Sequence, residues 1–276
     1  MMNNADRAFS FLPLNEREGK PRTRGITEMR GPYYDPVGPN RLQDIFATCG
    51  AYVDILKFSG GAFSLFPREV LQEMIELCHA NDVQVSTGGF IEYVLQRCPE
   101  KIDEYLAECR DMGFDIVEIS SGFLAISTED LVGLTGEVIR HGMKAKPEIN
   151  VQFGAGGTSS VEQLEQQGLQ NPRHAIEEAR RHLDAGAYRI MVESEGITEQ
   201  VREWRTDVIA EIASGIGIEN AVFEAADSEV FAWYIKTFGP EVNLFVDHSQ
   251  ILELEAMRTG IWGTNELFGR VRTWKG

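Results

Sequence analysis

The sequence predicts an α/β fold, a single (β/α)8 barrel of the TIM type, and three observations carry that prediction. Short β-branched runs alternate with longer amphipathic runs along the whole chain. The alternation reaches eight repeats with no sign of a second domain. The length of 276 residues suits a barrel of about 250 residues with a short lead-in. A doubly wound open sheet uses the same alternation, and the count of eight favours the barrel.

Taken in order, strands are expected at 26–30, 53–58, 83–87, 115–120, 143–149, 187–193, 220–224 and 242–247. Helices are expected at 41–49, 67–81, 100–112, 128–141, 172–185, 199–214, 227–238 and 250–259. Apolar residues at three- and four-residue spacing, as in Val70, Leu71, Met74, Ile75 and Cys78, give each helix one buried face. Pro67 and Pro172 suit a first helical turn, Thr128 precedes two acidic residues, and Gly113, Gly142 and Gly186 follow helix ends. Residues 1–24 form a tail and 25–276 the barrel domain. The first few tail residues are expected to be loose, while Phe9, Phe11 and Leu12 would dock the tail or cap the barrel floor. One long connection, 151–171, carries Gly154, Gly156, Gly157, Thr158, Ser159 and Ser160. It reads as a mobile mouth loop, either a lid or a floppy insertion.

The composition excludes several classes of function. A net charge of −17 argues against nucleic acid and anionic membranes as partners. It leaves room for a small anionic substrate, because a lysine or a metal reverses the field locally. No apolar run approaches the roughly 18 residues of a membrane span, and no signal-peptide core is seen, so a cytoplasmic protein is expected. Cys49, Cys78, Cys98 and Cys109 lack C-x-x-C spacing and read as reduced, mostly buried thiols.

In a barrel the active site is built from the C-terminal strand ends and the loops that follow them. Six strands end in ionisable residues: Lys57, Glu118, Lys146 with Glu148, Glu193, Glu224, and Asp247 beside His248. Such groups are costly to bury singly, so a shared polar site is the economical reading. Lys144, Lys146 and Glu148 fall on one face of their strand; all three face the lumen unless the strand is irregular at Pro147. A set of carboxylates suits a hard cation such as Mg2+, acting as a Lewis acid on a substrate carboxylate or phosphate. Lys57, Glu118 and His248 are the candidate catalytic groups, with Lys57 supplying either charge or, if burial lowers its pKa, a proton. Lys146, Arg30 and the glycine turns at Gly60, Gly61, Ser121 and Gly122 are the candidate substrate-binding groups. His79, His141, His174 and His182 are expected at the surface. Phe231, Trp233, Tyr234, Trp262 and Phe268 crowd the C-terminal end and point to a homo-oligomer, with core burial as the competing explanation. ATP and dinucleotide motifs are absent from the sequence.

At these strand ends the sequence resembles the phosphosulfolactate synthase family. The resemblance rests on Lys57-Phe58 before a glycine turn, Gly88-Gly89 with Glu92, and Glu118-Ile119-Ser120-Ser121-Gly122. It continues through Phe223-Glu224-Ala225, Val242-Asn243-Leu244 and Leu254-Glu255-x-x-Arg258. In order, it runs from Lys20-Pro21-Arg22 to Phe268-Gly269. The family implies a (β/α)8 barrel that adds sulfite to phosphoenolpyruvate with Mg2+. It further implies Glu148, Glu193 and Glu224 as metal-organising residues and Lys57 as a substrate-side cation.

Three loops depart from the family pattern. An Asp-Lys-Gly or Asp-Asn-Gly after the first strand is replaced by Thr27-Glu28-Met29-Arg30-Gly31-Pro32. Gly-Trp-Gly-Thr-Ser after the second becomes Ser59-Gly60-Gly61-Ala62-Phe63. Glu-x-Arg-Glu-Ser-Gly after the sixth becomes Glu193-Ser194-Glu195-Gly196, with an acidic residue in place of an arginine suited to gripping phosphate. The chain is more similar to the branch that includes the plant heat-stress-associated proteins. Three functions remain open: a synthase-like lyase, a lyase with a different substrate, and a non-enzymatic stress-associated interaction protein.

Overall fold

The computed structural model describes residues 7–157, 159–168 and 171–274. Its centre is a closed, all-parallel barrel of eight strands in sequential order, each paired with its neighbours and β8 with β1. The strands are β1 (Thr27–Arg30), β2 (Ile55–Lys57), β3 (Gln84–Ser86), β4 (Ile116–Ile119), β5 (Lys144–Ile149), β6 (Ile190–Val192), β7 (Ala221–Glu224) and β8 (Leu244–Asp247). All eight fall inside the predicted ranges and the open-sheet alternative is excluded by the β1–β8 pairing.

Ten α-helices surround the barrel among the described residues: α1 (Pro39–Cys49), α2 (Arg68–Ala80), α3 (Ile91–Arg97), α4 (Ile102–Met112), α5 (Thr128–Arg140), α6 (Val161–Glu165), α7 (Arg173–Asp184), α8 (Thr206–Ile216), α9 (Ser228–Phe238) and α10 (Ile251–Thr259). The sequence did not show α3 or α6, which at seven and five residues are too short to display a helical period. Residues 199–205, expected in a helix, form a loop instead: Gly196 turns the chain at φ 81°, and its N–H donates to Glu199. The cap of α5 is Ser127, not Thr128; its hydroxyl accepts from Asp130 N.

Period-two geometry divides each strand into an outer and an inner face. Outward side chains such as Met29, Leu56, Val85, Val117 and Ala145 pack under α1–α5 in one apolar cluster. Val192, Phe223, Leu244 and Val246 pack under the later helices in a second. The lumen is layered. Its floor is apolar, with Ile26, Ile55 and Ile116 against Tyr188. Above it lie Glu28, Glu118 and Lys146 beside Met191, Val222 and Phe245, and the top layer carries Arg30, Lys57, Glu148, Glu193 and Glu224.

Two family-like motifs turn out to fasten the barrel floor. The fully buried Arg258 guanidinium donates to Gly25 O at 2.6 Å, Val242 O at 2.7 Å and Thr27 Oγ1 at 3.0 Å, joining the starts of β1 and β8. Asn243 accepts from Ile26 N and donates to Ala221 O, adding β7 to the same seam. The tail docks through charge rather than through its aromatics. Phe9 and Phe11 are 70% and 79% exposed, whereas Lys20 donates to the carbonyls of Gly50 and Asn81, Arg22 pairs with Asp54, and Arg17 pairs with Glu255. Residues 1–6, expected to be loose, lie outside the described residues, as does Thr158.

The four cysteines are unpaired, with Cys49, Cys78 and Cys109 buried and Cys98 partly so. His182 corrects an expectation: it is 1% exposed and its Nδ1 lies 2.8 Å from the Thr135 hydroxyl. It faces inward because the strongly amphipathic α7 spends its charged residues outside and has few apolar ones to bury. Phe231 and Tyr234 are likewise core residues, Tyr234 against Phe223 of β7, and Trp233 is half-buried, so Trp262 and Phe268 are the two of those five aromatics that stand out in solvent.

Candidate active site

The middle lumen layer is a chain of alternating charge. Lys146 pairs with Glu28 and lies 3.1 Å from Glu118 Oε2; Lys57 Nζ lies 2.7 Å from Glu118 Oε1 and 3.7 Å from Glu148 Oε2. Lys144, Lys146 and Glu148 all face the lumen despite Pro147, which sits in register with Ile119. Lys144 is the lowest, over the Tyr188 ring with its ammonium on Gln84. Buried charges survive only when paired, and the two deeply buried lysines, Lys57 and Lys146, each touch two carboxylates.

Burial opposes the charged form of Lys57, but Glu118, Glu148, Glu224 and Glu28 outweigh it and hold its pKa above the ordinary lysine value. The residue is a fixed cation, which removes the expectation of a burial-lowered proton donor. Burial also acts against ionised Glu118, yet Lys57 and Lys146 prevail and keep its pKa low. Upper carboxylates behave oppositely. Burial, followed by repulsion from Glu118, pushes Glu148 up to about 7. Burial and the charges of Glu224 and Glu148 raise Glu193 well above the usual range. Burial raises Glu224 against the pull of Lys57 and Arg30.

Arg30 pairs with Glu224 at 2.5 Å and lies over the rings of Tyr34 and Phe245. Lys146 is fully buried beneath Glu118, so it supports the site from below instead of reaching its opening. Neither glycine turn is an open cradle. Gly60 and Gly61 adopt φ 60° and 69°, and the rings of Tyr33 and Phe90 lie where their Cβ atoms would be. Gly122 N donates to Glu92 Oε1 at 2.5 Å, and the neighbouring Ser121 opens the turn closed by Leu124 N. His248 stands at the rim, Nε2 3.3 Å from Arg41 and 3.9 Å from Asp35, and Nδ1 3.4 Å from Asp247.

Sequence reasoning missed Glu28, Ser120 and the roles of Glu92 and Glu195. Ser120 Oγ lies 2.6 Å from Glu92 Oε1 and 2.8 Å from Glu148 Oε1. One hydroxyl hydrogen serves one acceptor, so the second contact calls for a proton on a carboxyl. Glu148, with its raised pKa, is the group suited to carry it. The connection after β5 folds over the mouth: Gly154 N donates to Gly122 O, Gly156 and Ser159 donate to Glu195, and α6 opens with a capping box at Ser160.

The donor set of the top layer fits a hard divalent cation. Glu28, Glu118, Glu148, Glu193 and Glu224 face Lys57, Lys146 and Arg30, five carboxyl groups to three cations, and the raised pKa values of Glu148, Glu193 and Glu224 reflect burial and that excess of acid. Glu148, Glu193 and Glu224 do not bring even one oxygen each to within 4.8 Å of one another, so a cation held by all three would keep several waters or draw them closer. Among the described residues the tight set of that kind is Asp103, Glu137 and His141, on the outer helices α4 and α5 and partly exposed.

Fold and site together define a (β/α)8 barrel with a charged, cation-compatible C-terminal mouth. Residues 15–264 match the family model described as (2R)-phospho-3-sulfolactate synthase, and the chain belongs to that family. It is 38% identical over 259 residues to the protein HEAT-STRESS-ASSOCIATED 32 of Arabidopsis thaliana, covering 90% of this chain and 91% of that one. It is 27% identical to the phosphosulfolactate synthase of Methanothermobacter thermautotrophicus, covering 93% and 96%. Among solved structures, the carboxyl transferase domain of Rhizobium etli pyruvate carboxylase superposes with a TM-score of 0.57 at 11% identity, over 83% of this chain and 40% of that one. That likeness shows the barrel fold alone.

Proposed function

We propose that the protein is a lyase of the phosphosulfolactate synthase type, adding sulfite or a related nucleophile to phosphoenolpyruvate or a similar small anion with Mg2+. The observation that carries this is the Lys57–Glu118–Lys146–Glu28 chain beneath three carboxyl groups whose burial and mutual crowding raise their pKa values, a set that a bound cation would hold ionised. Glu148, Glu193 and Glu224 would hold the ion, which when bound supplies Lewis-acid stabilisation of charge on the substrate carboxylate. In the addition, the nucleophile's lone pair forms the new bond at the methylene carbon. The double-bond electrons move toward the carboxylate, and a proton at the adjacent carbon completes the product. Lys57 faces that developing charge as a preorganised cation. Glu118 holds Lys57 in place, Lys146 and Glu28 hold Glu118, and Arg30 and His248 lie at the rim.

The relation to a plant heat-stress-associated protein favours a second reading, a barrel kept as an interaction protein. The two are separated by incubating the protein with phosphoenolpyruvate, sulfite and Mg2+ and following addition products by mass spectrometry. A product that disappears in Lys57→Met supports the lyase; none with any enol or 2-oxo acid supports the interaction protein. We place the protein in the cytoplasm, in line with its unpaired cysteines; among the described residues, no helix is long and apolar enough to cross a membrane. We further propose a homo-oligomer that covers the paired, solvent-exposed Trp262 and Phe268; a monomer mass by light scattering at micromolar concentration would contradict it.

A further inference from the structure

Two sets of backbone N–H groups converge at the mouth, and each is filled by a carboxylate of the chain itself. Glu92 accepts from Gly122 N at 2.5 Å and Phe123 N at 3.4 Å. Glu195 Oε2 accepts from Gly156 N at 2.9 Å and Ser159 N at 3.4 Å. Neighbouring N–H groups in a glycine-rich turn form a concavity that favours an anion. These two concavities follow β4 and β5, at the C-terminal mouth where a barrel of this kind builds its site.

Both are built tightly. A Cβ on Gly122 would lie 2.7 Å from Ala155 O, and one on Gly156 would lie 2.9 Å from Glu193 Oε2. Glu195 is itself buried, and its own N–H donates to Glu193 Oε1 at 2.9 Å, so the plug is tied directly to the carboxylates of the site. Glu92 is tied to them through Ser120, which also contacts Glu148. A phosphate entering here must displace a carboxylate from its donors and approach its charge.

We infer that Glu195 is a specificity-determining residue: it occupies the backbone N–H groups of Gly156 and Ser159 with a carboxylate of the chain itself and disfavours a phosphate there, so that the mouth prefers a small acid with one anionic group, an unphosphorylated 2-oxo or enol carboxylate. This rests on the mouth being the substrate site proposed above. Repulsion from one carboxylate about 6 Å away weakens an added phosphate by about a hundredfold. The carboxylate of the acid is left to face Lys57.

The test is binding, by calorimetry, of pyruvate, phosphoenolpyruvate and inorganic phosphate to the whole protein, with and without Mg2+. The wild type should prefer pyruvate over phosphoenolpyruvate by about tenfold or more. Glu195→Ala, which frees Gly156 N and Ser159 N, should bind phosphate and phosphoenolpyruvate up to about a hundredfold more tightly, with pyruvate changed by less than about threefold. Glu195→Gln keeps an acceptor on the N–H groups but removes the charge, so it should give a smaller gain; it decides the matter if the alanine variant does not fold. A wild type that prefers phosphoenolpyruvate, or folded variants that gain nothing for phosphate, would overturn the inference. Phosphate gain in the metal-free variants is read independently of catalysis, whereas a wild type that binds neither Mg2+ nor any acid at the mouth overturns the lyase reading.

Discussion

Lys57 and Glu118, on β2 and β4, meet inside the lumen with Nζ 2.7 Å from Oε1, and the same carboxylate holds Lys146 at 3.1 Å through its other oxygen. Glu118 is therefore the hub through which the fixed cation of the site is supported from below. Removing its charge leaves two buried lysines short of a counterion. Glu118→Gln should destabilise the fold by about 3–5 kcal/mol, the cost of breaking a buried pair from one side. Urea denaturation checks this, and a loss below about 1 kcal/mol would show that the lysines find other partners.

The raised pKa of Glu148, about 7, makes cation binding compete with a proton. Below that pH the carboxyl must release its proton before it can ligate; above it no proton is displaced. Mg2+ affinity should therefore rise with pH, by about tenfold per unit below pH 7 for one proton, and level off above. A Mg2+ titration followed by the thermal midpoint at pH 6, 7 and 8 reads the slope. A flat profile would remove Glu148 from the ligand set.

His182 offers a separate pH signature. Burial, followed by the charge of Arg181, lowers its pKa from 6.5 to about 4. The unfolded chain binds a proton near pH 6.5 that the folded chain refuses until about pH 4. Stability from keeping this ring neutral is thus intact above pH 6.5 and lost as pH falls toward 4, up to about 3 kcal/mol. In His182→Gln that part of the acid slope should vanish; an unchanged slope would assign it to the carboxylates.

Arg258 uses the planar fork of its guanidinium to reach two carbonyls and a hydroxyl at once. A lysine cannot reproduce that fork, so Arg258→Lys should cost about 2–4 kcal/mol while leaving the mouth's ligand binding unchanged. Denaturation together with pyruvate calorimetry separates the two; a loss of binding with stability intact would contradict a purely structural role.

The barrel was legible because short strand-like runs alternate with amphipathic helices eight times, even where a strand such as β5 (Lys144–Ile149) holds a single β-branched residue. The candidate site was legible to the extent that strand ends can be found: Lys57, Glu118, Glu148, Glu193 and Glu224 do converge at the mouth or just beneath it. What stayed hidden depends on partners far apart in the chain. Glu28 looks like a mid-strand polar residue until Lys146, 118 positions later, is placed against it. Gly122 reads as an anion cradle because its filling carboxylate, Glu92, comes from a helix too short to see. His182 reads as surface because nothing in its neighbours announces that Thr135 awaits it.

The central claim is that Glu148, Glu193 and Glu224 gather a divalent cation at the barrel mouth. Mn2+ binding followed by electron paramagnetic resonance tests it most directly, using the wild type, Glu193→Gln, Glu224→Gln and, as an outside control, Asp103→Asn. A bound ion is expected in the wild type and in Asp103→Asn, with affinity lowered at least about tenfold in each mouth variant. Binding that survives both mouth variants and is lost in Asp103→Asn would place the ion on the outer helices and rule out the mouth site.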